Sequence, residues 1–110
     1  QDTTLFESLA LPDAGIWTVR RRQDSLQIGN RRYSEDTKHF DPKRIIYERA
    51  LHFDIKIHHD IAVAWVPYEL HINQVFSHCG VDVFTFLNTI EGWKIANLSY
   101  SIEPDGSASI

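Results

Sequence analysis

Residues 44–102 read RIIYERALHFDIKIHHDIAVAWVPYELHINQVFSHCGVDVFTFLNTIEGWKIANLSYSI, and the fold depends on how this stretch is divided. It contains one proline, Pro67, and β-branched and aromatic residues fill most of it. Turn-forming residues interrupt it at three points: His59-Asp60, Asn73-Gln74 and Thr89-Ile90-Glu91-Gly92. These signals predict four long strands, Arg44–His58, Ile61–Ile72, Val75–Asn88 and Trp93–Ile102, joined as an antiparallel meander. Strands of this length must twist, and a strongly curled sheet has a concave face to fill.

The rest of the chain limits what can surround that meander. At 110 residues, 43% apolar and 24% charged, the chain is expected to be a single globular domain spanning 1–110. One cysteine, Cys79, excludes an intrachain disulfide and a cysteine-rich zinc site. No apolar run reaches the length of a membrane span and no secretory leader is visible, so no membrane partner and a cytoplasmic location are expected. The net charge of −4 argues against nucleic acid as a partner. Residues 20–44 run against this balance, with eight basic residues to four acidic ones. Without an aromatic ladder or a phosphate-cradling glycine loop, they read as a basic rim.

Thr4-Leu5-Phe6-Glu7 fits a capping box and predicts a short helix over Leu5–Ala10, stopped by Pro12. Ile16–Arg22 alternates as a strand with Ser25–Ile28 as its partner, and Gly29-Asn30 is a turn signal. Ser34-Glu35-Asp36 opens a second short helix that ends before Pro42, with His39 and Phe40 in its last turn. The expected class is α+β: a curled antiparallel sheet of four or more strands around short helices.

Pairing register decides which residues share a face. A two-residue turn at His59-Asp60 pairs Ile57 with Ala62, Ile55 with Ala64, Phe53 with Val66 and Leu51 with Tyr68, giving one apolar face. Keeping the Asp82 carboxylate out of that face selects Val81, Val83, Thr85 and Leu87 as its inward set. Keeping the Lys94 ammonium out selects an odd step at Gly92, with Trp93, Ile95, Asn97 and Ser99 inward. The concave face is then an apolar basin with a few polar members, which suits a small amphipathic organic ligand.

Pro12-Asp13-Ala14-Gly15-Ile16-Trp17, Val81-Asp82-Val83-Phe84-Thr85-Phe86-Leu87, Glu91-Gly92-Trp93-Lys94-Ile95 and Leu98-Ser99-Tyr100-Ser101 resemble the nuclear transport factor 2-like superfamily. The likeness is to its small bacterial SnoaL-like and lumazine-binding-like branches. This resemblance implies a cystatin-like cone with a pocket at its open end, commonly as a homodimer. It also implies relatives such as ketosteroid isomerase, scytalone dehydratase and polyketide cyclases. The long first helix usual in that superfamily is not found before Gln1, so no pocket residue is carried over from it.

The predicted ligand-binding set is Tyr47, Arg49, Tyr68, Asn97, Ser99 and Trp93, with Arg49 positioned to meet a planar anion. His52, Asp54 and His58 share a strand face but spread over about 20 Å, so no metal site is expected, and no cofactor. Cys79 lacks a neighbour that would activate it. The leading expectation is therefore a small-molecule-binding domain. The alternatives are an isomerase, dehydratase or cyclase with Asp82 or His78 as base, and an interaction module with a filled cone. The direction of the Asp82 carboxylate separates them. A self-partner is expected through Val63, Trp65, Phe84, Phe86, Leu98 and Tyr100 on the outer face.

Overall fold

The computed structural model describes residues 8–35 and 46–104. Seven strands form one sheet: β1 (Ala10–Arg22), β2 (Ser25–Arg32), β3 (Ile46–Ala50), β4 (Asp54–His58), β5 (Ile61–Ile72), β6 (Val75–Thr89) and β7 (Gly92–Ile102). Their order is β2-β1-β7-β6-β5-β3, with β4 also on β5. All pairs are antiparallel except β1 with β7. The sheet is curled and unclosed, as expected of a cone. No helix among the described residues is long and apolar enough to cross a membrane.

The three turns of the meander fall where the sequence placed them. His59 (φ 52°), Asn73 (φ 50°) and Gln74 (φ 71°) adopt the left-handed conformation, which matches tight hairpins to the twist of the flanking strands. At the fourth hairpin, Thr89 Oγ1 donates to the Gly92 carbonyl at 2.8 Å and accepts from Glu91 N–H at 3.1 Å.

Other expectations need correction. The first long strand is two strands, because residues 51–53 oppose only Val66 and Pro67. Leu51 N–H bonds the Pro67 carbonyl at 2.8 Å. Tyr68 therefore pairs with Ala50 and not Leu51. β1 starts at Ala10, and Pro12 lies inside it, where β1 runs out of step between Ala10 and Gly15. A residue without an N–H fits such a bulge. Gly29 and Asn30 lie within β2, opposite Thr18 and Trp17, and the turn is at Gln23 (φ 50°). A 3₁₀ turn follows β2 at residues 33–35. The predicted helix from Leu5 lies mostly outside the described residues, as does the predicted helix beyond Glu35.

Two one-residue bulges reverse the predicted faces. His71 pairs with Phe76 but Leu70 pairs with His78, leaving Ser77 extra. From there Gly80 lies opposite Tyr68, Asp82 opposite Val66 and Phe84 opposite Ala64. Asp82, Phe84 and Phe86 point inward, and Val81, Val83, Thr85 and Leu87 outward. On β7, Phe86 pairs with Ile95 but Thr85 pairs with Asn97, so the extra residue is Ala96. The odd step thus sits at Ala96 rather than Gly92. Lys94 still faces out, opposite Leu87, and its Nζ donates to the Ser8 carbonyl at 2.6 Å. Trp93 and Ile95 remain inward, whereas Asn97 and Ser99 face outward.

The inner face is the buried one. Ala62, Ala64, Val66 and Tyr68 are buried along β5 while Ile61, Val63 and Trp65 between them are exposed. At the other end Ala14, Ile16, Tyr33 and Ile95 form the core, with Phe84, Phe86 and Leu98 packed against it. Complete burial of a side chain such as Ile16 contributes about 1.5–3 kcal/mol.

Tyr68 crosses from β5 over β6 to β7. Its hydroxyl donates to the Ser101 carbonyl at 2.7 Å, and Gly80 is the β6 residue beneath it. A Cβ at Gly80 would lie 2.1 Å from that same carbonyl oxygen. Val81 N–H compensates by donating to Ser101 Oγ at 3.0 Å. Gly80→Ala should therefore destabilise the protein by about 1–3 kcal/mol, and Tyr68→Phe by about 1–3 kcal/mol through loss of one buried partner. Denaturant titration of the two single variants and the double variant checks this. The double variant should cost less than the two losses added, since either change alone breaks the same crossing.

Candidate functional site on the inner face

The site is assembled by rows of cross-strand neighbours. One row runs Thr18, Tyr100, Asp82, Val66, and the next runs Arg20, Ile102, Gly80, Tyr68, Ala50. Beyond it His78 faces Leu70, which faces Glu48. These rows place Asp82, Tyr68, Tyr100, His78, Glu48 and Arg20 on the same concave surface. The ring of Tyr68 meets His78 edge-on at 5.9 Å and Tyr100 at 6.3 Å.

Asp82 is 5% exposed. Burial, then a side-chain hydrogen bond with Glu48, then the negative charge of Glu48 push its pKa up from 3.8 to about 8. Asp82 therefore holds its proton at pH 7, with the Glu48 side chain as its hydrogen-bond partner. Glu48 lies two strands away from Asp82 and in a different row, so only a tightly curled sheet can bring the two together. Burial raises the Tyr68 phenol well above its ordinary value, so it remains a donor. His78 is lowered by burial and then by the Arg20 cation, with Glu48 opposing. Its Nδ1 shares a 3.0 Å hydrogen bond with Ser77 Oγ.

Arg31 enters from β2. Its guanidinium donates to Tyr100 Oη at 3.3 Å and lies 6.0 Å from the centre of that ring. Towards the apolar end, Ile55 and Ile57 of β4 face inward yet remain exposed, as does Trp93 on β7. That side of the concavity is open.

Of the predicted ligand-binding residues, Tyr68 and Trp93 lie on the inner face. The other four do not: the bulge at Ala96 turns Asn97 and Ser99 outward, and the irregular stretch at residues 51–53 turns Tyr47 and Arg49 outward. Asn97 and Ser99 point outward and bond each other at 3.3 Å. Tyr47 and Arg49 pair with His71 and Glu69 and line a separate outer cleft of about 400 Å³ with Gln74. Arg49 is 3.9 Å from Glu69, both at the surface. Asp82 and His78 both point inward. Cys79 is buried, with Sγ 3.7 Å from the Glu103 carbonyl. Among the described residues no three His, Cys, Asp or Glu side chains gather as metal ligands would. Glu48, Arg20, Arg31 and Tyr100 were missed. The only sequence signal for this arrangement was Gly80, since a glycine inside a strand marks a bulge or a close approach.

No family model and no curated protein matches the chain. Among solved structures, an NTF-2-like protein of unknown function from Silicibacter pomeroyi aligns with 93% of this chain and 80% of its own. It shares 17% identity at a TM-score of 0.55. An NTF2-like protein with a cystatin-like fold from Novosphingobium aromaticivorans aligns over 98% of this chain and 73% of its own, at 16% identity and a TM-score of 0.66. The chain has the nuclear transport factor 2-like fold. A candidate ketosteroid isomerase from Parabacteroides distasonis shares that fold over 92% of this chain and 75% of its own, at 13% identity and a TM-score of 0.62. At these identities the likeness is one of architecture.

Within this nuclear transport factor 2-like sheet, Asp82 makes stability depend on pH. In the unfolded chain its carboxyl releases its proton near 3.8, while the folded protein holds it to about 8. The folded state binds more protons between these values, so the stability from this group is full below about pH 4 and is lost as pH rises through 8. His78, lowered in the fold, acts in the opposite sense below its ordinary value of 6.5. The difference between wild type and Asp82→Asn isolates the carboxyl. Asp82→Asn should gain stability relative to wild type as pH is raised from 5 to 9, measured as melting temperature. A gap that stays constant across this range would contradict the assignment.

Proposed function

We propose that the inner face binds a small amphipathic organic molecule bearing a carbonyl oxygen, and that Asp82 and Glu48 move a proton on it. The observation that carries this is the inward-facing Asp82 carboxyl, protonated beside a Glu48 carboxylate on a face walled by Tyr68 and Tyr100. A neutral carboxyl in a low-dielectric site can donate to a carbonyl oxygen and stabilise negative charge that develops there. A carboxylate next to it can take the proton from the adjacent carbon. The electron pair of that C–H bond moves to the oxygen held by Asp82, and the proton returns to another carbon of the same conjugated system. The reaction class is isomerisation through an enol. The fold shared with a candidate ketosteroid isomerase agrees with it. Asp82 acts here as donor rather than as the expected base, because a carboxyl protonated at pH 7 cannot accept. Glu48 takes the base role.

The test is hydrogen–deuterium exchange at the carbon next to the carbonyl, followed by proton NMR in D₂O with a panel of β,γ-unsaturated ketones. Wild type should accelerate exchange. Glu48→Gln and Asp82→Asn should each slow it by about 10²-fold or more, the usual weight of one acid–base group. Binding without any exchange would reduce the site to a ligand-binding domain. A failure to bind any ligand would favour a filled interaction module.

A self-partner is a second proposal, on a corrected surface. Phe84, Phe86, Leu98 and Tyr100 belong to the inner face, which leaves a different set for the outer one. There Trp17 and Trp65 are 47% and 49% exposed beside a groove of about 320 Å³, with Ile28 at 64%. An apolar surface of this kind is unusual on a monomer, and one patch repeated about a two-fold axis would cover it on both copies. Sedimentation should show a dimer at micromolar concentration, and Trp65→Glu should convert it to a folded monomer.

A further inference from the structure

We propose that the inner-face site selects ligands that carry a carboxylate, and that Arg20 receives it. This rests on the reading of the inner face as an organic-ligand site and adds the substrate class, an oxo-carboxylic acid.

Arg20 is partly buried on β1, in the row that contains Gly80 and Tyr68. Its Nε is sealed from solvent and has no hydrogen-bond partner among the described residues. No acidic side chain there forms an ion pair with it, whereas Arg49 on the outer face lies against Glu69. Asp82 keeps its proton and so offers Arg20 no charge, and no ion pair joins Arg20 to Glu48 among the described residues, although both act on His78. The cation instead acts on His78, whose pKa it helps to lower. Holding a guanidinium in a concave surface without a counter-charge is costly, and an incoming anion removes that cost. The planar fork of arginine suits a carboxylate, which it can meet with two parallel hydrogen bonds.

The neighbouring row supplies further polar groups. Tyr100 Oη accepts from Arg31, which leaves its own proton for a ligand oxygen. Asp82 on β6 and Arg20 on β1 are separated by β7 and by one row, about 12 Å between their backbones. A molecule with a carbonyl at one end and a carboxylate at the other can span between the two groups.

Benzoate and benzamide test this, since they match in shape and differ in charge. The two are titrated into wild-type protein while the His78 ring is followed by NMR, with His78→Gln used to assign its signal. Benzoate should bind at least about tenfold more tightly than benzamide. It should also raise the pKa of His78, because a bound anion offsets Arg20. Arg20→Met should remove the preference, and Arg20→Lys, which keeps the charge and guards against misfolding, should retain part of it. Equal binding of the two probes, or a preference that survives in Arg20→Met, overturns the assignment of Arg20 and leaves the ligand site standing. Failure of both probes to bind overturns this inference and the ligand site together. Carboxylate selection without any exchange on ketones or oxo acids would instead support Arg20 and refute the proton-transfer reading.

Discussion

The hydrogen bond from Tyr68 to the Ser101 carbonyl, 2.7 Å long, is the constraint on which the inner face depends. It ties β5 to β7 across an intervening strand, which ordinary ladder bonds cannot do. The crossing works because Gly80 has no side chain to block it, and because the Ser101 carbonyl turns inward to be met. The ladder opens locally, and the Ser101 hydroxyl takes the N–H of Val81 in its place. Strands drawn together over a glycine in this way are strongly bent. That bend brings Glu48, on β3, within reach of Asp82, on β6. Curvature and chemistry here have the same origin.

A buried carboxyl is a cost that the fold could have avoided with an apolar residue. The cost is reduced by protonation, since a neutral Asp82 needs hydrogen-bond partners and no counter-ion. This is also where sequence reasoning failed. The rule that an unpaired carboxylate stays out of a core was applied to Asp82 as though it had to be ionised and alone. It is neither. One acid was placed in solvent by inference, and Val81, Val83, Thr85 and Leu87 were drawn inward with it.

Strand boundaries were legible because turn residues and β-branched runs are local signals. Ile61–Ile72 was recovered to the residue, and the pairing of Ile55 with Ala64 as expected. Faces were not legible, because each depends on a parity that one extra residue reverses. Ser77 and Ala96 carry no mark that distinguishes them from their neighbours. The Lys94 argument reached the right orientation through a wrong step at Gly92, since two errors of parity cancel. Asn97 and Ser99, beyond Ala96, kept the error, and so the predicted polar lining was mostly on the wrong side. Tyr68 escaped it because β5 is the strand from which the buried face was first defined. Glu48 was assigned to a solvent-facing set, and the irregular stretch at residues 51–53 turned it inward.

The order of the rows gives the concave face a direction. At one end Phe84, Phe86, Leu98 and Ile95 lie among the alanines of β5. At the other, Asp82, Tyr100, Tyr68, His78 and Arg20 succeed one another within a few residues of each strand. Hydrophobic burial dominates the first end and fixes the fold, so substitutions there should be read first as changes in stability. The second end buries Tyr68 but also carries a protonated acid, an imidazole whose pKa burial lowers and a cation with no ion-pair partner among the described residues. Such groups are poorly explained as stabilising features. They are consistent with a surface whose polar requirements are completed by something that enters it, oriented with its apolar part toward Trp93 and Ile57 and its oxygens toward Asp82 and Arg20.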